Sequence, residues 1–348
     1  MRYVNLLLIF VPLAILGETL EWSPTLVFTA SALGVIPLAG LIGEATEELA
    51  AHTGPRVGGL LNATLGNAAE LIISLFAIRA GLLTLVKASI IGSILGNLLL
   101  VTGASVLLGG LRHGVQRFDR AQAGLNATML ILAVVAISVP SLFSHAIEPN
   151  HQAVEGLSLG VSGVMIAIYG MGLFHTLRAQ PSDPALREAA HAPAWSVRKA
   201  LIVLAAATAA IAWLSEVLVG SVEAVVAHLG WTEFFLGIII IPLVGNVAEH
   251  LVAVQVALKD QMELSLSISL GSSLQIALFV APLLVFVSLA MGNPLTLVFD
   301  QFELIAMVGS SLVAALVALD GESNWLEGAQ LLAVYTILAL AFFYLPAP

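Results

Sequence analysis

The chain has no cysteine, and only 10% of its 348 residues are charged: 12 Lys and Arg against 22 Asp and Glu. The first absence removes disulfides, thiolate metal sites and thiol nucleophiles from its chemistry, and says little about compartment. The second lies far below the roughly 25% charged residues of a soluble domain. Without a dense Lys/Arg patch, nucleic acid is not a partner either. What is present is apolar, 59% hydrophobic residues with a mean hydropathy of +1.03. The lipid bilayer is the surrounding this composition demands.

Apolar runs between polar breaks divide the chain into about eleven transmembrane helices, an all-α polytopic membrane protein. Residues 1–22 read as an extra N-terminal span, uncleaved because "GETLEWSP" offers no small-x-small site. Residues 23–178 supply five spans, 179–196 with Pro181, Pro184 and Pro193 a cytoplasmic linker, and 197–348 five more. With the N-terminus in the cytoplasm, ten of the twelve basic residues fall inside, Arg79 and Lys87 being the exceptions, and the C-terminus lies outside. Short loops point to a prokaryotic cell membrane.

Two stretches carry the argument further. "LGNAAELIISLFAIRAG", from Leu65, puts Glu70 inside a membrane-length run, and "GNVAEHLVAVQVALKD", from Gly245, does the same for Glu249. A shift of 179 residues lays Gly66, Asn67, Ala69 and Glu70 on Gly245, Asn246, Ala248 and Glu249, and "GSILGNLLLV" on "GSSLQIALFV". This is a diverged duplication. A five-span unit re-enters the membrane from the opposite side in its second copy, so the two repeats are inverted, with a site expected at the midplane where they meet. An ionised carboxylate at the bilayer centre costs about 2.5–3.5 kcal/mol even on lenient scales. A cost carried in both copies points to use.

Helical spacing puts Asn67, Glu70 and Ser74 on one stripe, and Asn246, Glu249, His250 and Ala253 on its counterpart. Two carboxylates with amide and carbonyl oxygens suit Ca²⁺, which takes six to eight oxygen ligands in flexible geometry. Facing carboxylates with no cation between them repel, so one or both would take up a proton. Gly66, Gly245, Gly92-Ser93 and Gly271-Ser272-Ser273 permit close helix approach. Pro242 is expected to loosen the helix before Asn246 and free carbonyls for a cation. Gln275 offers one more amide oxygen.

"GNAAE" and "GNVAEH", each followed about twenty residues later by "GSIL" or "GSSLQ", resemble the two signature repeats of the cation/proton exchanger family in the calcium/cation antiporter superfamily. Sodium/calcium exchangers of that superfamily usually carry proline directly before the motif glutamate; Ala69 and Ala248 stand there, which favours protons as the counter-ion. The resemblance implies exchange of Ca²⁺ for H⁺ by alternating access, with Ca²⁺ as cargo and no cofactor. It implies that Glu70 and Glu249 bind the metal and the protons, with Asn67 and Asn246 as further metal ligands. Ser93, Ser272 and Gln275 would support them, His250 would tune proton coupling, and Glu44, Glu47, Glu216 and Glu223 would line the access routes.

Three features depart from the pattern: His250 has Leu71 as its repeat partner, "SEVLVGSVE" has Val219 and Gly220 where a further acid is expected, and the linker carries only Asp183 and Glu188, too few for an acidic regulatory helix. Na⁺/Ca²⁺ exchange, or antiport of Mn²⁺ or another divalent ion, stays open, as do a homo-oligomer and a vacuolar membrane. An intramembrane metalloenzyme would need a motif such as HExxH, which "AEH" does not provide. A channel would build its pore from carbonyl filters or rings rather than a titratable acid pair. Glu70→Gln and Glu249→Gln should each nearly abolish Ca²⁺ flux in proteoliposomes while leaving a folded protein, and to a similar degree; robust flux from either would remove the paired-site reading.

Overall fold

A computed structural model describes residues 4–53, 55–147, 151–178 and 193–345. All but the last four residues of the expected linker lie outside them. In hydrocarbon every backbone N–H and C=O must be satisfied within the protein, and the apolar runs accordingly become helices: α1 (Val4–Thr19), α2 (Pro24–Thr53), α3 (Pro55–Leu65), α4 (Ala68–Arg79), α5 (Leu83–His113), α6 (Arg120–Ile147), α7 (His151–Arg178), α8 (Val197–Gly220), α9 (Val222–Leu229), α10 (Glu233–Ala257), α11 (Met262–Ala290), α12 (Gln301–Ala318) and α13 (Trp325–Tyr344).

Among the described residues nine of these are long and apolar enough to cross a membrane: α2, α5, α6, α7, α8, α10, α11, α12 and α13. The protein is a polytopic membrane protein. A count of eleven crossings rests in addition on the shorter apolar α1 and on α3 and α4 taken together, which share one expected span between them.

The helices pack by van der Waals contact of small residues rather than by exclusion of water. The opening helices of the two halves, α2 and α8, lie against each other, and a Cβ at Gly34 would come within 2.9 Å of Leu214. Among the described residues three helices carry a single π turn, which shifts the stripe of side chains that follows it and often marks a functional site. Two of these turns, Gly96–Val101 in α5 and Ile276–Val280 in α11, coincide under the 179-residue shift; the third, Leu236–Ile240, opens α10. The carbonyl of Asn97, within the α5 turn, accepts a hydrogen bond from Thr102 Oγ1 at 2.9 Å.

Loops gather at two faces. At one, Gln116–Arg117 pairs antiparallel with Glu322–Ser323, and His113 Nε2 lies 2.9 Å from Leu258 O. At the other, the Leu85 N–H donates to Glu233 Oε1 at 2.9 Å, and Asn293 Nδ2 donates to Ile78 O. Lys87, an exception to the basic-residue pattern, sits on this second face within electrostatic reach of Glu303 and Asp300 at the start of α12. That local acidic partner accounts for its place. The Glu303 carboxylate also accepts the Asp300 N–H at 2.8 Å, closing the capping box of α12.

The motif helices end alike. In α4 the Gly81 N–H reaches Ile78 O (3.0 Å) and the Leu82 N–H reaches Ala77 O (2.9 Å); in α10 the Asp260 N–H reaches Ala257 O (3.1 Å) and the Gln261 N–H reaches Val256 O (3.0 Å). Both are Schellman caps, whose first residue beyond the helix adopts positive φ. Gly81 meets this at φ 79° without strain, while Asp260 meets it at φ 63° with a side chain that accepts from Gln116 Nε2 at 2.8 Å. Asp260→Asn, which tolerates this conformation and keeps an acceptor, should leave thermal stability in detergent nearly unchanged. Asp260→Ala should lower stability by about 1–2 kcal/mol, read as a drop in melting temperature.

Candidate ion-binding site

The two copies of the motif fold differently around their shared sequence. In the first, the helix breaks at Gly66-Asn67, so that Glu70 lies in the first turn of α4, buried at 5% exposure. In the second, α10 runs unbroken through Gly245-Asn246 and carries Glu249 within it. The loosening expected at Pro242 takes the form of the π turn Leu236–Ile240 just before it, not of a break. The prolyl ring removes one N–H, but the π turn just before it absorbs the mismatch. The Ile238 carbonyl packs against Gly92, where any Cβ would collide with it, and the Pro242 carbonyl accepts from Asn246 Nδ2 at 3.0 Å.

The Glu70 side chain reaches across to the other half: a Cβ at Gly245 would lie 3.2 Å from its Oε1. It is close enough to Glu249 for the two carboxylates to act on each other electrostatically. Beside them runs a chain of hydrogen bonds that alternates between the halves. His250 Nε2 is 3.2 Å from Asn97 Oδ1, an acceptor, so the ring donates its Nε2 proton there. Asn97 Nδ2 donates to Ser272 Oγ (3.0 Å), Ser272 Oγ to Asn67 Oδ1 (3.2 Å), and Asn67 Nδ2 to Gln275 Oε1 (2.7 Å). Asn246 Nδ2 also donates to Ser93 Oγ at 3.2 Å.

Two buried oxygens in this cluster, Asn246 Oδ1 and Glu249 Oε2, have no hydrogen-bond partner among the described residues. A buried acceptor left empty is costly; a bound cation or a proton would satisfy it. Among the described residues no three His, Asp or Glu side chains gather as a metal cluster. A cation here would be held by two carboxylates and neutral amide or hydroxyl oxygens, a hard oxygen set of the kind Ca²⁺ takes.

The structure thus gathers both glutamates, both asparagines, His250, Ser93, Ser272 and Gln275 into one cluster. Glu44, half-buried, and Glu47 stand in the last third of α2, while Glu216 and Glu223 are exposed at the far end of α8 and on α9. The hydrogen-bond chain does not include these four. Asn97, fully buried, is the member that sequence reasoning missed. Its repeat partner is Ile276, so the search for duplicated residues passed over it; a lone amide in the apolar run "GSILGNLLLV" was the available signal.

A polytopic bundle that brings two glutamates from related half-chains together in its interior has the architecture of a secondary ion exchanger. The sequence places it within that class: residues 23–178 and 199–344 match the sodium/calcium exchanger protein family, and the chain belongs to it. It is 45% identical to the Ca(2+)/H(+) antiporter ChaA of Bacillus subtilis (strain 168), over 96% of this chain and 97% of that one. It is 44% identical to the Ca(2+)/H(+) antiporter of Aphanothece halophytica, over 98% and 96%. The structure of native YfkE superimposes with a TM-score of 0.87 at 42% identity, covering 98% of this chain and all of that one. The H+/Ca2+ exchanger CAX, at 15% identity and a TM-score of 0.77, shares the fold.

Gly245→Ala tests the contact between the halves. An added methyl at 3.2–3.3 Å from the Glu70 carboxyl must push it aside, at a packing cost of about 1–3 kcal/mol. Ca²⁺ flux should fall several-fold, while Gly124→Ala on α6, where nothing lies within 4 Å of the added Cβ, should leave it nearly unchanged.

Proposed function

We propose that the protein is a secondary antiporter that exchanges Ca²⁺ for H⁺ across a membrane, at a site shared by Glu70 and Glu249. The observation that carries this reading is the electrostatically linked carboxylate pair, in which Glu249 Oε2 and the neighbouring Asn246 Oδ1 are buried without a hydrogen-bond partner. The Ca(2+)/H(+) antiporters it is similar to along nearly their whole length support the choice of ions. Glu70, Glu249, Asn67 and Asn246 hold the cation; the two glutamates take the protons when it leaves, and His250 bears on them through Asn97 and Ser272. Ser93 and Gln275 hold the two asparagines in place. Glu44 and Glu47 line the route from one face, Glu216 and Glu223 the route from the other.

The two repeats, 23–178 and 197–348, are inverted about this site, and α1 together with α3 and α4 completes eleven crossings. The face carrying His113, Asp260 and Glu322 is cytoplasmic, as is the N-terminus, with the C-terminus outside and the cell membrane of a prokaryote as the location. Access alternates between the faces. The outer approach is closed, since Gly92 of α5 is pressed against Ile238 and Pro242 of α10. At the counterpart on the cytoplasmic side nothing lies within 4 Å of a Cβ at Gly271. This asymmetry supports a cytoplasm-open state.

The sign of the pH dependence follows from competition. Protons and Ca²⁺ claim the same carboxylates, so apparent Ca²⁺ affinity weakens as pH falls, and binding releases protons. In proteoliposomes an imposed pH gradient should drive uphill Ca²⁺ uptake, and a Na⁺ gradient alone should not. Uptake driven by sodium at constant pH would move the protein to Na⁺/Ca²⁺ exchange. Calorimetry in buffers of different ionisation enthalpy should count released protons; zero release would sink the shared site.

A further inference from the structure

We propose that Gln116 and Asn293 are positioning residues for the exchange: each pins the C-terminal end of a glutamate-bearing helix to the other repeat throughout the transport cycle. The gating motion is thereby confined to the segments before Asn67 and Asn246. The inference rests on the alternating-access reading above.

Asn293, in the loop after α11, donates Nδ2 to Ile78 O at 2.9 Å, at the end of α4. Gln116, in the loop after α5, donates Nε2 to Ala257 O at 3.1 Å, at the end of α10. Ile78 and Ala257 are the same position in the two repeats, and each carbonyl also takes the N–H of its Schellman turn, from Gly81 or Asp260. Yet Gln116 and Asn293 are not repeat partners: the 179-residue shift pairs Gln116 with Leu295 and Asn293 with Gly114. The two halves reach the same bond with different residues, each crossing to the opposite half and the two lying on opposite faces. A second contact reinforces one of them, His113 Nε2 to Leu258 O at 2.9 Å.

The segments before the motifs are unlike. α3 ends in a break at Gly66-Asn67, while α10 runs straight through Gly245-Asn246; Gly92 is jammed against Ile238 and Pro242, while Gly271 has open space. When inverted repeats exchange roles, each adopts the other's local structure. What is already alike in both has no need to change, and what differs must be exchanged. The pinned C-terminal ends belong to the first set and the N-terminal segments to the second.

The chain has no cysteine, so introduced pairs react alone. In full-length protein reconstituted into proteoliposomes, Gln116→Cys with Asp260→Cys, and Ala80→Cys with Asn293→Cys, would each be joined by a short bis-methanethiosulfonate, which links the two thiols through reducible disulfides with loss of sulfinate. Ca²⁺ uptake driven by a pH gradient should survive either tether. The pair Ala88→Cys with Gly237→Cys, across the closed contact of α5 and α10, should fall to background when joined and recover on reduction. Loss of flux on tethering either clasp, reversed by reduction, overturns the proposal; so does full flux through the tethered α5–α10 pair. Should a double variant be inactive before cross-linking, Asn293→Ala and Gln116→Ala decide. Maximal rate should fall several-fold with the KM for Ca²⁺ little changed and partial rescue by Asn293→Gln, whereas a raised KM at unchanged maximal rate overturns the proposal. Absence of proton-driven uptake from the unmodified protein would refute the exchange reading itself, independently of the clasps.

Discussion

Two carboxylates of like charge, brought together where water is scarce, set the terms for the rest of this structure. At an effective dielectric of 20, unit charges 4 Å apart repel by about 4 kcal/mol, and the bilayer adds its own charge for each ionised acid. A state with both glutamates ionised and nothing between them is therefore one the protein must avoid. The occupants that relieve it are a divalent cation or protons, and the neighbouring groups are neutral amides and hydroxyls that can serve either occupant without adding a third acid. Glu70 rests against the bare backbone of Gly245, where any side chain would hold the two halves apart.

Around that constraint the fold divides into parts that repeat and parts that do not. The paired π turns of α5 and α11 and the matched Schellman ends of α4 and α10 look the same in both halves. The break at Gly66-Asn67, set against an unbroken α10, does not. In the alternating-access reading proposed above, this asymmetric conformation of a duplicated sequence is what lets the protein open on one side at a time. Were both halves folded alike, both faces would be open or both closed.

The site was legible in the sequence wherever duplication and the cost of burial coincided. Glu70, Glu249, Asn67 and Asn246 fall out of one shift, and the apolar runs became helices, the span expected through the first motif being divided between α3 and α4. Legibility ended where the two halves differ. Asn97 has an isoleucine as its partner, and Gln116 and Asn293 have Leu295 and Gly114, so comparing the halves hid them. Pro242 marks a weakened helix in the second repeat, yet the break occurs in the first, at a position without proline. Local propensity does not foresee this, since the copy that carries the proline is the one that stays helical through its motif.

The hydrogen-bond chain from His250 through Asn97, Ser272 and Asn67 to Gln275 changes repeat at every link. Each polar group thus has its partner encoded in the other half of the gene. A substitution at one link orphans a buried amide or hydroxyl in the opposite half, at a cost of about 1–3 kcal/mol. The two halves have become mutually dependent, and neither could be replaced by a copy of the other without breaking the line.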